Sequence, residues 1–205
     1  DDQDEAAANR FAFNAQFEDL FSEKHRELVA EASNTSKYDW SRYYRVRSDE
    51  NFVQNIGEDQ KRAVAAGKCV SQRKPLHTSM CVLDYDQNQT ALRINRALLQ
   101  YCGDLSSSFP ATLAQYVLIR GLEDPQMTDE IYIQIAKHCS GNAKASSEDK
   151  AWLLLCMCTK IFPPTKPFAP YLVNFLIAHR NTSGLIGNYA RLCIVQLDAT
   201  IELGP

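Results

Sequence analysis

Apolar side chains recur every three or four residues along most of the chain, and this spacing is typical of amphipathic helices. A first helix is predicted over residues 9–32, with an apolar face formed by Phe13, Phe17, Leu20, Phe21 and Leu28. A short helix is predicted over residues 49–66. We expect residues 1–66 to form an ordered N-terminal helical extension that docks onto the remainder through Phe13, Phe17 and Phe21, because three exposed Phe side chains on one stripe would favour aggregation.

The rest of the chain shows the same helical period and no alternating pattern of a strand. Further helices are predicted over residues 89–102, 110–120, 125–139, 146–162, 168–180 and 185–200. The stretch 151–162 is apolar on nearly all sides, which predicts the central buried helix, with Trp152 in the core. The pattern therefore predicts an all-α fold, a helical bundle over residues 67–205 with an N-terminal helical extension over residues 1–66.

Short polar signals mark the expected helix ends. Gly103 suits a left-handed C-terminal cap. Ser146 and Asp149 have the spacing of a capping box for the helix that follows. Gly121 is expected just after the helix that begins at Pro110.

The charge is −3 over 205 residues, and it is uneven. Residues 1–66 hold 14 acidic and 9 basic side chains, whereas residues 67–205 hold 11 acidic and 13 basic side chains. Neither part is basic enough to indicate nucleic-acid binding. The aromatic and basic stretch 38–47 resembles a surface on which the bases of single-stranded nucleic acid stack. Aromatic side chains covered by the aliphatic parts of Arg side chains, however, more often belong to a core. We therefore expect no nucleic-acid partner.

The seven cysteines are irregularly spaced, and several lie in apolar stretches. This usage indicates a reducing compartment and not a disulfide framework. The longest apolar run, residues 151–158, is far shorter than the roughly 20 residues of a membrane span. The acidic N-terminus lacks the pattern of a signal peptide. We therefore expect a cytoplasmic protein with no membrane span.

Candidate catalytic and metal-binding groups are few. Adjacent residues on a helix point about 100° apart, so Asp129 and Glu130 do not converge on one substrate atom, and a structural role early in a helix is expected. Cys156 and Cys158 face different sides of a helix in apolar surroundings, which indicates core positions and not a zinc site. The four histidines have no partner motif. We predict no enzyme, cofactor or metal, and a Cys-dependent enzyme stays a remote alternative because a Cys–His pair can meet only in space.

Residues 121–135 begin a series of motifs that resembles the MyTH4 domain, since they contain an Asp-Pro start and the segment Asp129-Glu130-Ile131-Tyr132. The segment 151–156 resembles the Trp-containing helix of that family, and Phe162-Pro163-Pro164 resembles its proline turn. Further matching segments are Lys74-Pro75-Leu76, residues 99–104, Tyr171-Leu172, Tyr189-Ala190 and Cys193. The order and spacing of these motifs carry the resemblance, which covers about residues 70–205.

The resemblance implies a helical module in the tail of a myosin or kinesin motor, often followed by a FERM domain. Such modules bind tubulin or cargo proteins and are associated with the cytoskeleton. The alternative is an architectural spacer that orients the FERM domain without a ligand of its own. Thr128 stands where the family usually has Arg, so a salt bridge made by that Arg is expected to be missing.

Basic residues at four positions are the candidates for binding acidic tubulin tails: Lys160, Lys166, Arg180 and Arg191. The simpler interpretation is an ordinary solvated face. In tubulin-binding relatives the helix after the proline turn tends to carry lysines, whereas here only the end of that helix is basic. This departure weakens the prediction of microtubule binding.

Overall fold

The computed structural model describes residues 21–34 and 37–203, and in these ranges it contains α-helices and short 3-10 turns but no sheet. The described helices are α1 (Glu23–Ala32), α2 (Asp49–Phe52), α3 (Glu58–Ala66), α4 (Tyr85–Cys102), α5 (Pro110–Glu123), α6 (Thr128–Cys139), α7 (Ala145–Ile161), α8 (Ala169–His179) and α9 (Leu185–Leu203). Two 3-10 turns cover Trp40–Arg42 and Pro125–Met127. An isolated antiparallel bridge joins Val46 and Cys81. The all-α prediction is confirmed.

The N-terminal part packs onto the later helices, as far as the structure describes it. Phe21 is buried and meets the His25 ring edge-on, and the Ser22 hydroxyl donates to Asp198 on α9 at 2.6 Å. Asn174 on α8 donates to the carbonyl of Ala32 at 2.7 Å, where α1 ends. Phe13, Phe17 and Leu20, and with them half of the first predicted helix, lie outside the described residues. The helix predicted over residues 49–66 is two helices, α2 and α3.

Helices α7 and α9 lie side by side. The Sγ atoms of Cys156 and Cys193 are 3.3 Å apart, and Thr159 donates to Gln196 at 2.9 Å. One turn later, the hydroxyl of Thr200 donates to the carbonyl of Thr159 at 2.7 Å. Small side chains at these positions allow the close approach of the two helices.

The central helix is α6, where all twelve residues are buried. The prediction that residues 151–162 form the central helix is therefore wrong in part. Trp152 is fully buried, but Leu153 is 41% exposed and Lys160 is exposed. The polar side chains of α6 are buried because other segments of the chain supply partners for them.

Two of the predicted helix ends are also different. Gly121 lies inside α5, and a Cβ atom there would come within 2.3 Å of the Phe162 ring, so glycine serves close packing and not termination. Helix α7 begins at Ala145 without a side-chain cap, and Ser147 donates to Asp104 instead. Gly103 has the expected positive φ of 77°. None of the described helices has the length and apolar character that a membrane crossing requires.

Candidate functional site

The four candidate cations lie around α8. Lys160 is exposed in the last turn of α7, and Lys166 is exposed in the connection from α7 to α8. Arg180 follows the end of α8, and Arg191 lies in the second turn of α9. The guanidinium of Arg191 donates to the carbonyl of Arg180 and to the side chain of Asn188. The structure therefore brings Arg180 and Arg191 together.

Lys160 and Lys166 are separated from the two arginines by the length of α8. An eleven-residue helix rises about 1.5 Å per residue, so the two groups are roughly 16 Å apart along its axis. Arg180 and Arg191 are also only partly exposed, whereas the two lysines are exposed. The four cations therefore form two pairs at opposite ends of α8 and not one compact cluster.

Asp129 at the start of α6 is fully buried and holds two other segments in place. It accepts hydrogen bonds from the Tyr43 hydroxyl at 2.9 Å and from the Thr165 amide and hydroxyl at 3.0 and 2.7 Å. Arg45 provides a cation 3.5 Å away. The structural role predicted for Asp129 is confirmed, but its cause is contact with distant segments more than the helix dipole.

The cation near the start of α6 comes from Arg45, which lies 3.5 Å from Asp129, and not from position 128. The hydroxyl of Thr128 donates to the carbonyl of Pro125 at 2.9 Å and makes no ion pair. Because Arg45 comes from the N-terminal part of the chain, the sequence near Thr128 contained no signal for this ion pair.

Glu130 is also fully buried and binds backbone amides. Its two carboxylate oxygens accept from the Met80 and Cys81 amides at 2.9 and 2.6 Å, and one of them accepts from Gln134 at 2.7 Å. Burial raises the pKa of this carboxyl group, and the hydrogen bonds oppose that shift. A substrate has no access to either carboxylate, so both serve the fold.

The C-terminal end of α6 anchors a loop in the same way. Lys137 is buried and donates to the carbonyls of Gly67, at 3.0 Å, and Val70. The Nε2 atom of His138 lies 3.0 Å from Asp104, and its Nδ1 atom lies 3.3 Å from the Ser71 hydroxyl. Burial lowers the pKa of His138, and Asp104 opposes that shift. Sequence reasoning missed these anchors because their partners are distant in the chain.

The cysteines occupy core positions. Cys156 and Cys158 are buried, and burial raises the pKa of the Cys158 thiol, so it stays protonated at neutral pH. His138 is paired with Asp104 and hydroxyl groups and not with a thiol. Within the described ranges, no three His, Cys, Asp or Glu side chains are placed to hold a metal ion.

The fold and these contacts define a class of protein, a helical domain whose central helix holds the preceding segments by buried polar side chains. A family model described as the MyTH4 domain matches residues 114–205. The match begins later than the predicted start near residue 70.

Proteins of similar sequence include a myosin and a kinesin-like protein. The chain is 33% identical over 135 residues to the high molecular weight form of myosin-1 of Acanthamoeba castellanii, covering 65% of this chain and 8% of that protein. It is 29% identical over 121 residues to the kinesin-like protein KIN-14E of Arabidopsis thaliana, covering 54% of this chain and 10% of that protein. The chain thus spans a tenth or less of the length of these relatives.

Solved structures share the fold. A mutant of the myosin VII MyTH4-FERM MF1 domain of Dictyostelium discoideum superposes with a TM-score of 0.68 at 20% identity, over 83% of this chain and 34% of that chain. The human myosin 7b C-terminal MyTH4-FERM domain, solved in complex with the harmonin-a PDZ3 domain, gives a TM-score of 0.63 at 25% identity. That match covers 80% of this chain and 31% of the other. The shared fold therefore extends beyond the residues matched by the family model.

Proposed function

We propose that this chain is a non-catalytic interaction module of a cytoplasmic, cytoskeleton-associated motor tail, and that it binds a cargo protein or microtubules beside a FERM domain. The match of residues 114–205 to the MyTH4 family model carries the proposal. The matched relatives include a myosin and a kinesin-like protein, which supports the motor context. The complex of the myosin 7b MyTH4-FERM domain with a PDZ domain supports a protein partner.

The internal chemistry agrees with a role in binding. Asp129, Glu130 and His138 are acid and base groups of α6, and each is hydrogen-bonded to other residues of the chain. A buried polar group that leaves its partners has a large desolvation cost, so these groups are poor candidates for chemistry on a substrate.

For the microtubule alternative, we propose that the cations at the ends of α8 make the contact. Lys160 and Lys166 form one pair, and Arg180 and Arg191 form the other. Tubulin tails are acidic, and a surface ion pair contributes at most about 1 kcal/mol, so both pairs must contribute. The exposed lysines are the stronger candidates because Arg191 is already bonded to the end of α8.

Co-sedimentation with microtubules at low and high salt tests this proposal. Binding should be strongest at about 0.05 M salt and should fade near about 0.5 M, because screening shortens the range of the interaction. Lys160→Glu/Lys166→Glu should reduce pelleting strongly. The matched control Lys24→Glu/Arg62→Glu has the same change of charge on other helices and should pellet normally.

Two results would contradict the proposed contact. Intact pelleting after reversal of all four cations would show that microtubules bind elsewhere. Failure of the unmodified protein to pellet at low salt would exclude microtubules as the partner, and a cargo protein or the spacer role would then be the function. X-ray scattering of the protein joined to a FERM domain would then support a spacer if it showed one fixed orientation of the two domains.

A further inference from the structure

A groove runs between α4 and the chain segment that precedes it. Three contacts hold residues 73–79 along the helix. Arg73 lies 3.5 Å from Asp104, just after the end of α4. The Leu76 amide donates to Asn95 at 2.9 Å, and the Ser79 amide donates to Asn88 at 2.8 Å. The segment therefore follows α4 from its end towards its start and forms a fixed wall.

The groove has the size of a ligand site. Its volume is about 500 Å³, within the range of about 300–1,000 Å³ that is usual for such sites. Pro75, Leu76 and Leu92 line it with apolar groups. Leu76 is buried and Leu92 is half-buried, so the apolar surface of the groove is packed against the protein and is still accessible to a ligand at Leu92.

Cations dominate the charged side chains of this groove. Arg93 and Arg96 line it from successive turns of α4, and both are exposed. Lys74, beside Pro75 in the wall, is exposed as well. Asp86 is the one carboxylate among the residues that line the groove, and it lies in the first turn of α4. Guanidinium groups bind carboxylates through paired hydrogen bonds, so two arginines one turn apart favour an acidic chain.

We propose that the α4 groove binds an acidic segment of a partner protein, with an apolar side chain against Pro75, Leu76 and Leu92. Asp or Glu side chains of the partner pair with Arg93 and Arg96. Asp86 disfavours a highly charged phosphate group and orients the segment, because it repels acidic residues at the start of α4. The proposal rests on the proposed function only in that the ligand is a protein. It uses none of the cations around α8.

Fluorescence anisotropy with two short labelled peptides tests this site directly. One peptide has glutamates around a central leucine, and the other has serine in place of that leucine. The unmodified protein should bind the leucine peptide saturably and more tightly than the serine peptide. Arg93→Glu/Arg96→Glu should raise Kd by about tenfold or more, which corresponds to about 1.4 kcal/mol of binding free energy.

Matched controls separate the groove from general electrostatics. Lys24→Glu/Arg62→Glu changes the charge equally at exposed positions that do not line the groove, and it should change Kd by less than about twofold, which corresponds to about 0.4 kcal/mol. Leu92→Ser should weaken the leucine peptide and leave the serine peptide unchanged. Thermal melts of each variant confirm that the fold is retained.

Several outcomes would overturn the proposal. An equal loss of peptide affinity in both double variants would indicate non-specific electrostatic attraction. The absence of saturable peptide binding would show that the groove is not a binding site. Binding of anionic phospholipid vesicles through Arg93 and Arg96, without peptide binding, would replace the protein partner with a membrane. Microtubule pelleting of the same variants is a separate measurement. The microtubule proposal can therefore fail while peptide binding in the groove persists, and peptide binding can fail while microtubule pelleting persists.

Discussion

Helices α6 and α7 follow each other in the chain and pack together, but they use apolar and polar residues in opposite ways. Helix α6 contains Asp129, Glu130, Lys137 and His138, and it is buried on every side. Helix α7 has the more apolar core stretch, yet it leaves Leu153 and Lys160 on the surface.

The difference shows that hydrogen-bond partners, and not hydrophobicity alone, determine which helix lies at the centre of this bundle. Asp129, Glu130 and Lys137 on α6 have donors or acceptors from residues 43–81 or from the loop before α8. Gln134 donates to the carbonyl of Ala91 on α4 and to Glu130. A buried polar group is tolerated when it is hydrogen-bonded, so a polar helix can occupy the core. In the part of the chain that the structure describes, no segment covers the outer face of α7 at Leu153, which is 41% exposed.

Glu130→Ala should produce the largest effect, because it removes the acceptor of three buried donors. Each unsatisfied donor costs about 1–3 kcal/mol, so the free energy of unfolding should fall by about 3–9 kcal/mol. Urea unfolding followed by circular dichroism measures this. Glu123→Ala on the exposed end of α5 is the matched control and should cost less than about 1 kcal/mol. A similar small loss at Glu130 would show that α6 does not depend on its polar anchors.

Trp152→Ala tests the inner face of α7. The Trp152 ring stacks on Phe175 with centroids 5.4 Å apart, and it is fully buried. Its removal should cost about 3–5 kcal/mol, the range for large core side chains. Leu153→Ala, at the next position on the outer face, should cost less than about 1 kcal/mol. Equal melting temperatures for the two variants would show that the two faces of α7 have been misassigned.

Lys137 gives the smallest effect and a distinct dependence on pH. Burial lowers its pKa to about 8, whereas the unfolded chain has a value near about 10.4. The unfolded state therefore binds the proton more tightly, and the stability contributed by this group rises as pH increases from about 8 towards about 10.

The measurement is the difference in free energy of unfolding between the unmodified protein and Lys137→Met. That difference should shift towards the unmodified protein by about 1 kcal/mol between about pH 7.5 and about pH 9. The same comparison with Lys150→Met, at an exposed position of α7, removes the contribution of other titrating groups and should show no shift. A difference that stays constant at Lys137 would mean that its ammonium is not desolvated.

The candidate site was only partly predictable from local pattern. The spacing of Arg93 and Arg96 places them on one side of a helix, and this is readable in the sequence. The wall of the α4 groove depends on Leu76 meeting Asn95, which no local pattern predicts. The four cations around α8 were predicted as one candidate patch for acidic tubulin tails, but the length of α8 separates the two lysines from the two arginines.

The sequence by itself determined the helices and most of their apolar faces, because periodicity and helix-ending residues act within a few positions of one another. It also determined the resemblance to the MyTH4 domain, through motifs whose order is readable along the chain, and the family model matches residues 114–205. The tertiary structure decided which helix is central and what Asp129 and Glu130 bind. Their partners Tyr43 and Cys81 lie 86 and 49 residues away, and contacts at such separation depend on how the helices pack and not on the spacing within any one of them.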